Sequence, residues 1–285
     1  MVATAFLRNV LGLLGVLLAA YVVIGLLARV FETRLIFFPD YPGRLTGNWQ
    51  PSGLPVEDVF LHTSDGIRLH AWWIPSPGAA FTFLAFHGNA ANIANRAPTY
   101  RFLHGLPANV LAVDYRGYGR SEGSPDEVGL YRDAEAAYDY AVRERSIPPE
   151  RVIVFGQSLG TAVAVDLAAK HPVGGVVLEA PFASARAVAR RVYPFLPGIT
   201  AFLRTKFDTA AKLPRVRAPL LVVHCANDPV LPVALGEEVF RLGHKPKSWL
   251  RIEGACHEEA SQVAPAEYRD RLQQWLRAGI QTPEK

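Results

Sequence analysis

The sequence predicts an α/β fold in which a mostly parallel β-sheet carries helices on both faces. Two features of the 285 residues indicate this fold. From residue 81 onward, short apolar runs rich in β-branched and aromatic residues alternate with amphipathic helical segments, and parallel strands need such crossover helices. Before them, two runs of alternating polarity at 56–62 and 67–74 flank a Ser64-Asp65-Gly66 turn, which is the pattern of a β-hairpin. In such sheets the reactive loops lie at the carboxyl ends of the strands, so functional residues are expected there.

The predicted elements follow one another in a regular order along the chain. After the hairpin, strands are predicted at 81–86, 109–114, 152–155, 174–179, 219–224 and 248–252. Helices are predicted at 128–145, 161–170, 235–242 and 265–278. The first of these helices has apolar side chains at helical spacing, and the second is rich in alanine, the strongest helix former.

The first residues of the chain are expected to form a membrane anchor. Residues 10–28 carry no charge and lie between Arg8 and Arg29, and a helix of that length spans about 28 Å, close to one hydrocarbon core. A cleavable signal peptide is the alternative, with Ala19-Ala20 as the small residues before the cut. Because arginines lie on both sides of the segment, the side of the membrane that the rest of the chain occupies is left open.

We divide the chain into an anchor at 1–34, a linker at 35–55, an α/β domain at 56–279 and a tail at 280–285. Within the domain, residues 182–218 are too many for a simple connection between two strands, and we expect them to form a short lid. The lid carries eight lysines and arginines against Asp208 alone, a net charge of +7. Such a lid is either a solvated face or a surface that contacts anionic lipid headgroups or an acidic substrate.

Two smaller features keep alternatives open. The linker aromatics Phe37, Phe38 and Tyr41 either lie at a membrane interface or pack on the domain. Cys225 and Cys256 are the only cysteines, so neither a disulfide framework nor a thiolate metal cluster can be built from them. Both lie close to predicted functional loops. We expect two free thiols, and whether they pair is left open.

Residues 151–161, R-V-I-V-F-G-Q-S-L-G-T, are the most informative stretch of the chain. A buried strand leads into the G-x-S-x-G turn around Ser158 and then into a helix, the arrangement called a nucleophile elbow. The turn is too tight for larger neighbours, so small residues are needed two before and two after the serine. It lifts the Ser158 hydroxyl out of the sheet and points the free N–H groups of the helix N-terminus at the reacting centre. The alternative is a plain glycine-rich turn.

A serine hydroxyl needs a base to take its proton, and the base needs a third group to orient it. His257 is the predicted base, because it alone of the eight histidines combines a late position with a loop that follows a strand. Asp228 is the predicted acid, because Asp228-Pro229 marks a turn at the carboxyl end of the preceding strand. Glu179, which ends an earlier strand, is the alternative acid. Nucleophile, acid and base thus fall at three strand ends.

Charge that develops on the substrate oxygen needs preorganised hydrogen-bond donors. At a nucleophile elbow one donor is the N–H of the residue after the nucleophile, here Leu159. The other donor comes from the loop after the third strand, here His87-Gly88-Asn89-Ala90, and we assign it to the N–H of Asn89. His87 itself is expected to be a hydrogen-bonded structural residue.

These motifs resemble those of the α/β-hydrolase superfamily, and most closely those of its membrane-anchored abhydrolase-domain serine hydrolases. The resemblance covers residues 35–278 and the anchor before them. The matching motifs are His87-Gly88-Asn89-Ala90, D-Y-R-G-Y-G-R-S-E-G-S-P at 114–125, G-Q-S-L-G at 156–160, Asn227-Asp228 and His257. The chain order of Ser158, Asp228 and His257 is that of the superfamily's triads. The resemblance implies an eight-stranded sheet, a Ser-Asp-His triad and hydrolysis of esters or thioesters.

The sequence therefore predicts a membrane-anchored serine hydrolase that cleaves a carboxylic ester or thioester through an acyl-enzyme. A serine peptidase with the same triad and a catalytically silent membrane scaffold are the alternatives, although a silent scaffold is expected to lack a triad member. This chemistry needs no metal or organic cofactor, and no nucleic-acid partner is expected. The expected partners are a small-molecule or lipid-like acyl ester and the membrane, through the N-terminal helix and the basic lid. The sequence leaves the acyl group, the leaving group and the oligomeric state open.

Overall fold

The centre of the molecule is a mixed β-sheet. The computed structural model describes residues 2–41, 50–192, 194–195 and 198–280, and in them the sheet has eight strands in the order β1-β2-β4-β3-β5-β6-β7-β8. The strands are β1 Glu57–His62, β2 Arg68–Ile74, β3 Phe81–Phe86, β4 Ala108–Val113, β5 Val152–Gln157, β6 Gly175–Glu179, β7 Leu220–Cys225 and β8 Lys247–Ile252. β2 pairs antiparallel with β1 and β4, and the other neighbours pair parallel. The predicted mostly parallel sheet of eight strands is confirmed.

Helices cover both faces of the sheet, as the sequence predicts. The α-helices of the described residues are α1 Val2–Val30, α2 Glu32–Ile36, α3 Ala97–His104, α4 Glu127–Asp139, α5 Leu159–Ala168, α6 Ala185–Val192, α7 Thr209–Lys212, α8 Val233–Leu242, α9 Ala260–Val263 and α10 Pro265–Ile280. One buried core contains side chains of α4, α5 and α8, such as Val163, and the other contains side chains of α3 and α10, such as Leu272. Successive strand residues such as Phe83 and Leu84 belong to opposite cores, because side chains alternate along a strand.

The sequence did not predict α2, α3, α6, α7 or α9, and it predicted α4 with other bounds. The pattern missed α3, because two helical turns with a proline at the start carry only a short apolar stripe, Tyr100 and Leu103 among them. The helix predicted at 128–145 corresponds to α4 and the turn after it. α4 begins at Glu127, because the Asp126 carboxylate caps it by accepting the Gly129 N–H at 2.9 Å. The turn after α4, Tyr140–Glu144, is π-helical.

The two cysteines form a disulfide, which corrects the expectation of free thiols. Cys225 is the last residue of β7, and Cys256 lies four residues after β8, the neighbouring parallel strand. Parallel strands end at the same edge of a sheet, and here the loop after β8 turns back towards β7. The Cα atoms of the two cysteines are 5.6 Å apart, a separation usual for a disulfide.

The N-terminal helix and the residues after it have different environments. Within the described residues, α1 is the one helix long and apolar enough to cross a membrane, and only 6% of its most apolar stretch is buried in the protein. Beyond α2, by contrast, the side chain of Phe37 is 4% exposed and its ring lies 6.2 Å from that of Phe207. Phe38 forms a β-bridge with Ala90 and, like Tyr41, remains exposed. The predicted linker therefore begins as part of the packed domain; its residues 42–49 and residues 281–285 of the predicted tail lie outside the described residues.

A segment inside the predicted lid, residues 204–207, is held by two carboxylates. Glu32 of α2 is buried and accepts the N–H groups of Arg204 and Thr205, the latter at 2.7 Å. Glu127 of α4 accepts the N–H groups of Lys206 and Phe207 at 2.6 and 2.9 Å. The four consecutive backbone donors of the lid are thereby fixed to α2 and α4, and Phe207 is buried in the core beside them.

Candidate active site

Ser158 lies in a strained turn between β5 and α5. Its φ of 49° and ψ of −114° are outside the regions that L-residues ordinarily adopt. A Cβ atom added to Gly156 would lie 2.4 Å from the Gly160 carbonyl oxygen, and one added to Gly160 would lie 2.1 Å from the Phe86 carbonyl oxygen. Both positions therefore exclude any larger residue, which is the physical reason for the G-x-S-x-G pattern. The Ser158 N–H donates to the Glu179 carbonyl oxygen at 2.9 Å, which fixes the turn against β6.

A continuous chain of hydrogen bonds joins Ser158, His257 and Asp228. The Ser158 hydroxyl lies 2.8 Å from His257 Nε2, and His257 Nδ1 lies 2.8 Å from Asp228 Oδ2. The Asp228 side chain is fully buried, whereas that of His257 is 15% exposed. With the proton on Nδ1 facing the carboxylate, Nε2 is free to accept the proton of the serine hydroxyl.

The carboxylate of Asp228 is surrounded by donors. Oδ1 accepts the N–H groups of Val230 and Leu231 at 2.7 and 2.8 Å. Oδ2 faces His257 and, on the other side, His224 Nε2 at 3.3 Å. Burial opposes ionisation, but hydrogen bonds from His224 and His257 outweigh it and hold the pKa of Asp228 below its usual value. The group is therefore an ionised carboxylate at neutral pH, able to stabilise a protonated imidazole.

Glu179, the alternative acid of the sequence analysis, has a different set of partners. It is fully buried, and its carboxyl accepts the Ala260 N–H at 3.0 Å and the side-chain amide of Gln157 at 3.2 Å. The same amide donates to the Glu258 carbonyl oxygen at 2.9 Å. Burial raises the pKa of Glu179 to about 8. A neutral Glu179 and Gln157 thus hold the backbone of Glu258 and Ala260, which follow His257 in the chain. Sequence reasoning missed this contribution.

The loop after β3 lies against the first turn of α5, since Gly160 approaches the Phe86 carbonyl so closely. Leu159 is the first residue of α5, and its N–H is among those that a helix leaves without an internal partner. The side chain of Asn89 is engaged elsewhere: its amide donates to the Ile36 carbonyl oxygen, and its oxygen accepts the Tyr118 hydroxyl at 3.0 Å. The group that Asn89 offers in the predicted role is therefore its backbone N–H.

His87 is a hydrogen-bonded buried residue in this loop. His87 Nδ1 lies 2.7 Å from the Gly88 carbonyl oxygen. The His87 carbonyl oxygen accepts a hydrogen bond from the Tyr115 hydroxyl at 2.9 Å. Complete burial lowers the pKa of His87 to about 4, so the ring is neutral at neutral pH.

An ion pair that the sequence did not indicate bridges the two sides of the site. Arg96 Nη2 lies 2.6 Å from a Glu258 carboxylate oxygen and donates to the Ala90 carbonyl oxygen at 3.1 Å. The Glu258 carboxylate lies over Gly88, where an added Cβ would clash with it. The loop of Asn89 is thus tied to the loop of His257. The sequence signal was slight, only that Glu258 follows the predicted base.

The described residues contain no group of three or more His, Cys, Asp or Glu side chains that could hold a metal ion. The arrangement brings together a serine hydroxyl, an imidazole, a buried carboxylate and the N-terminal N–H groups of a helix. Those are the parts needed for attack on a carbonyl carbon.

Glu179→Gln should change how stability depends on pH. The folded state holds the Glu179 proton more tightly than the unfolded chain, whose pKa is near 4.5. The stability that the neutral carboxyl contributes is therefore complete below about pH 4.5 and is lost as the pH rises through about 8. Glutamine stays neutral, so the Tm of the variant relative to the native protein should rise by a few degrees between about pH 5 and about pH 8.

Thermal melting in one detergent at both pH values measures this difference. Glu253→Gln is the matched control, because its carboxyl is 77% exposed and should give a pH-independent difference. A pH-independent difference for Glu179→Gln as well would mean that Glu179 is already ionised in the folded protein.

The chain is similar to known proteins in sequence and in fold. Residues 79–206 match the model of the family described as "Serine aminopeptidase, S33". The chain is 36% identical over 231 residues to an uncharacterized protein of Mycobacterium tuberculosis, covering 80% of this chain and 81% of that protein. It is 34% identical over 235 residues to human alpha/beta hydrolase domain-containing protein 17B, covering 80% of this chain and 79% of that one.

Among solved structures, the Pyrococcus furiosus esterase Pf2001 superposes with a TM-score of 0.69 at 22% identity, covering 83% of this chain and 98% of that one. At that identity the likeness shows the fold. The sequence relatives carry the assignment further, since they are identical to this chain at more than a third of the aligned positions, over 80% of its length. This protein is a hydrolase, and it belongs to the α/β-hydrolase superfamily.

Proposed function

We propose that this protein is a membrane-anchored serine hydrolase that cleaves a carboxylic ester or thioester through an acyl-enzyme. The observation that carries the proposal is the chain of hydrogen bonds from Ser158 through His257 to Asp228, with both distances at 2.8 Å. A serine in a strained turn at a helix N-terminus, next to a base that is itself oriented, has the geometry of an activated nucleophile.

In the first half-reaction, His257 Nε2 takes the proton of Ser158 as Oγ attacks the acyl carbon. The carbonyl oxygen becomes an oxyanion, which accepts hydrogen bonds from the N–H groups of Leu159 and Asn89 and lies at the positive end of α5. As the intermediate collapses, the C–O or C–S bond breaks, and the leaving alcohol or thiol takes the proton from His257. The acyl group remains on Ser158 as an ester.

In the second half-reaction, a water molecule replaces the leaving group. His257 takes a proton from the water, whose oxygen attacks the acyl carbon, and the Oγ–C bond then breaks. Ser158 recovers its proton from His257, and the carboxylic acid departs. In both halves Asp228 keeps the imidazole in one tautomer and stabilises its charged form.

A serine peptidase with the same groups is the second candidate. It is favoured by the name of the matching family, "Serine aminopeptidase, S33". An amide differs from an ester in its leaving group, a poor one that must be protonated by His257 before the C–N bond breaks. Turnover of p-nitrophenyl esters of graded chain length, matched thioesters and aminoacyl p-nitroanilides separates these substrate classes. A silent scaffold would turn over none of them and would not react with a fluorophosphonate probe.

Ser158→Ala should abolish labelling by a fluorophosphonate and lower the esterase kcat by at least roughly 10³-fold, since the covalent route is lost. Ser261→Ala, which changes another buried serine, is the matched control and should leave labelling intact. In-gel fluorescence and p-nitrophenyl ester turnover give the two readouts. Labelling that persists in Ser158→Ala at another residue would refute the assigned nucleophile.

Ser158→Ala and His257→Ala should each cost about as much activity as the double variant, because both residues act in the same step. Asp228→Asn should be less severe. In the native protein kcat/KM should fall at acidic pH, because a protonated imidazole cannot act as the base. Because the pKa of Asp228 is held low, this loss should follow a single proton. Additive losses in the double variant, or a nearly silent Asp228→Asn beside an inactive Glu179→Gln, would contradict these roles.

We further propose that α1 anchors the domain and that the lid rests on anionic headgroups. α6 carries Arg186, Arg190 and Arg191, all exposed, and Phe195 beyond it is 72% exposed. Not every cation of the lid is available for such contact, since Lys212 lies 2.7 Å from an Asp166 carboxylate oxygen. Basic side chains near an anionic leaflet contribute about 1 kcal/mol each, so three on one short helix suffice for weak docking.

A chain lacking residues 1–31, which retains Glu32, should bind phosphatidylserine-containing vesicles weakly and in a salt-sensitive way. Replacing the three arginines of α6 by glutamate should remove that binding and spare turnover of a soluble short-chain ester. The same replacement at the exposed Arg215 and Arg217 is the matched control, because they precede β7 and lie at the opposite edge of the sheet. Co-sedimentation at low and high salt decides the outcome. If the truncated chain ignores the vesicles even at low ionic strength, the lid is a solvated face.

A further inference from the structure

A second histidine lies on the far side of the Asp228 carboxylate. His224 is the penultimate residue of β7, and its imidazole is fully buried. Its Nε2 lies 2.9 Å from the Leu231 carbonyl oxygen and 3.3 Å from Asp228 Oδ2. Ser158, His257, Asp228 and His224 therefore follow one another without a gap. The proposed mechanism gives no role to the last of them.

The surroundings indicate which ring nitrogen of His224 donates a hydrogen bond. Nε2 faces two oxygen acceptors and must carry a proton to bond either. Nδ1 lies against Gly236 of α8, where an added Cβ would come within 2.2 Å of it. Among the described residues Nδ1 has no hydrogen-bond partner, so a proton there would be buried and unsatisfied. The ring thus donates through Nε2, and its face is stacked on Trp249 with 6.5 Å between the ring centroids.

Leu231 links the histidine to the acid a second time. Its N–H donates to Asp228 Oδ1 at 2.8 Å, and its carbonyl accepts from His224. The imidazole therefore holds both the carboxylate and the turn whose N–H groups cradle that carboxylate. Without it, the turn keeps its short-range bonds but loses the contact that fixes it to β7.

We propose that His224 is a positioning residue for the hydrolytic reaction, acting through Asp228 to hold His257 in line with Ser158. The inference rests on the proposed function of those three residues. A carboxylate that can rotate or shift by a few tenths of an ångström orients the imidazole less well, and the loss falls on the transition state rather than on substrate binding. The expected effect is on kcat and leaves KM unchanged.

Two amide variants of the full chain test the proposal. The side-chain nitrogen of His224→Gln reaches the position of Nε2, whereas that of His224→Asn falls short, near Nδ1. We expect the kcat of His224→Gln to stay within about threefold of the native value and that of His224→Asn to fall about tenfold, the effect of losing a hydrogen bond to a charged group. KM for a p-nitrophenyl ester should not move in either. Equal kcat values for the two folded variants would overturn the proposal.

His104→Asn is the matched control, because that ring also bonds a backbone carbonyl, Pro75 at 2.9 Å, but on the opposite edge of the sheet. It should lower Tm without changing kcat. If His224→Asn does not fold, Gly236→Ala displaces the intact ring instead and should lower kcat at constant KM. An unchanged kcat there would equally refute the proposal.

A double-variant cycle with Asp228→Asn shows whether His224 acts through the acid. In the Asp228→Asn background, His224→Asn should cost less than about threefold, because the carboxylate that it positions is gone. A full tenfold loss in that background would place its effect elsewhere. If Ser158→Ala and Asp228→Asn themselves retain activity, the proposed function fails; if they are impaired and His224→Asn is not, only this inference fails.

Discussion

The close contact between β5 and α5 at Ser158 is the constraint on which the rest of the site depends. The absence of a side chain at Gly156 and Gly160 lets the first turn of α5 touch the end of β3, and that approach holds Ser158 in its strained conformation. A larger residue at either position would push the helix away by more than an ångström. A hydrogen bond of 2.8 Å to His257 would not survive such a shift.

The same edge of the sheet keeps two buried carboxyls in opposite protonation states. Asp228 has two backbone N–H groups and two imidazoles around it, and these favour its charged form over the cost of burial. Glu179 has two donors, but Glu258 and Glu259 lie near it, and burial dominates. One carboxylate can therefore balance the charge of an imidazolium, while the other serves as a neutral support for the loop of His257. Their environments, not their residue types, assign these roles.

The segment that follows α1 and the loops of the candidate active site share contacts. Ile36 and Phe38 bond the loop of Asn89, and Glu32 holds Arg204 and Thr205 of the lid. The disulfide joins the loops of Asp228 and His257. A flexible tether would leave the domain free to turn relative to the anchor. Here the residues after α1 are instead part of the framework that holds the predicted oxyanion donor, so α1 and the site are mechanically linked.

The sequence by itself determined the strands, the order of the elements, the long apolar helix and the elbow, because hydrophobic periodicity and tight turns are local properties. It also singled out Ser158, Asp228 and His257, since each follows a strand whose end could be recognised. Only the tertiary structure decided that Asp228 rather than Glu179 faces His257, that Cys225 meets Cys256, and that Arg96, Gln157 and His224 support the site. Most of those contacts join residues from about thirty to more than a hundred and fifty positions apart. The contact of His224 with Asp228 is short in sequence, but it depends on the direction in which each side chain turns. No local pattern encodes them, because they arise when parallel strands bring their carboxyl ends to one edge and the loops there pack against each other.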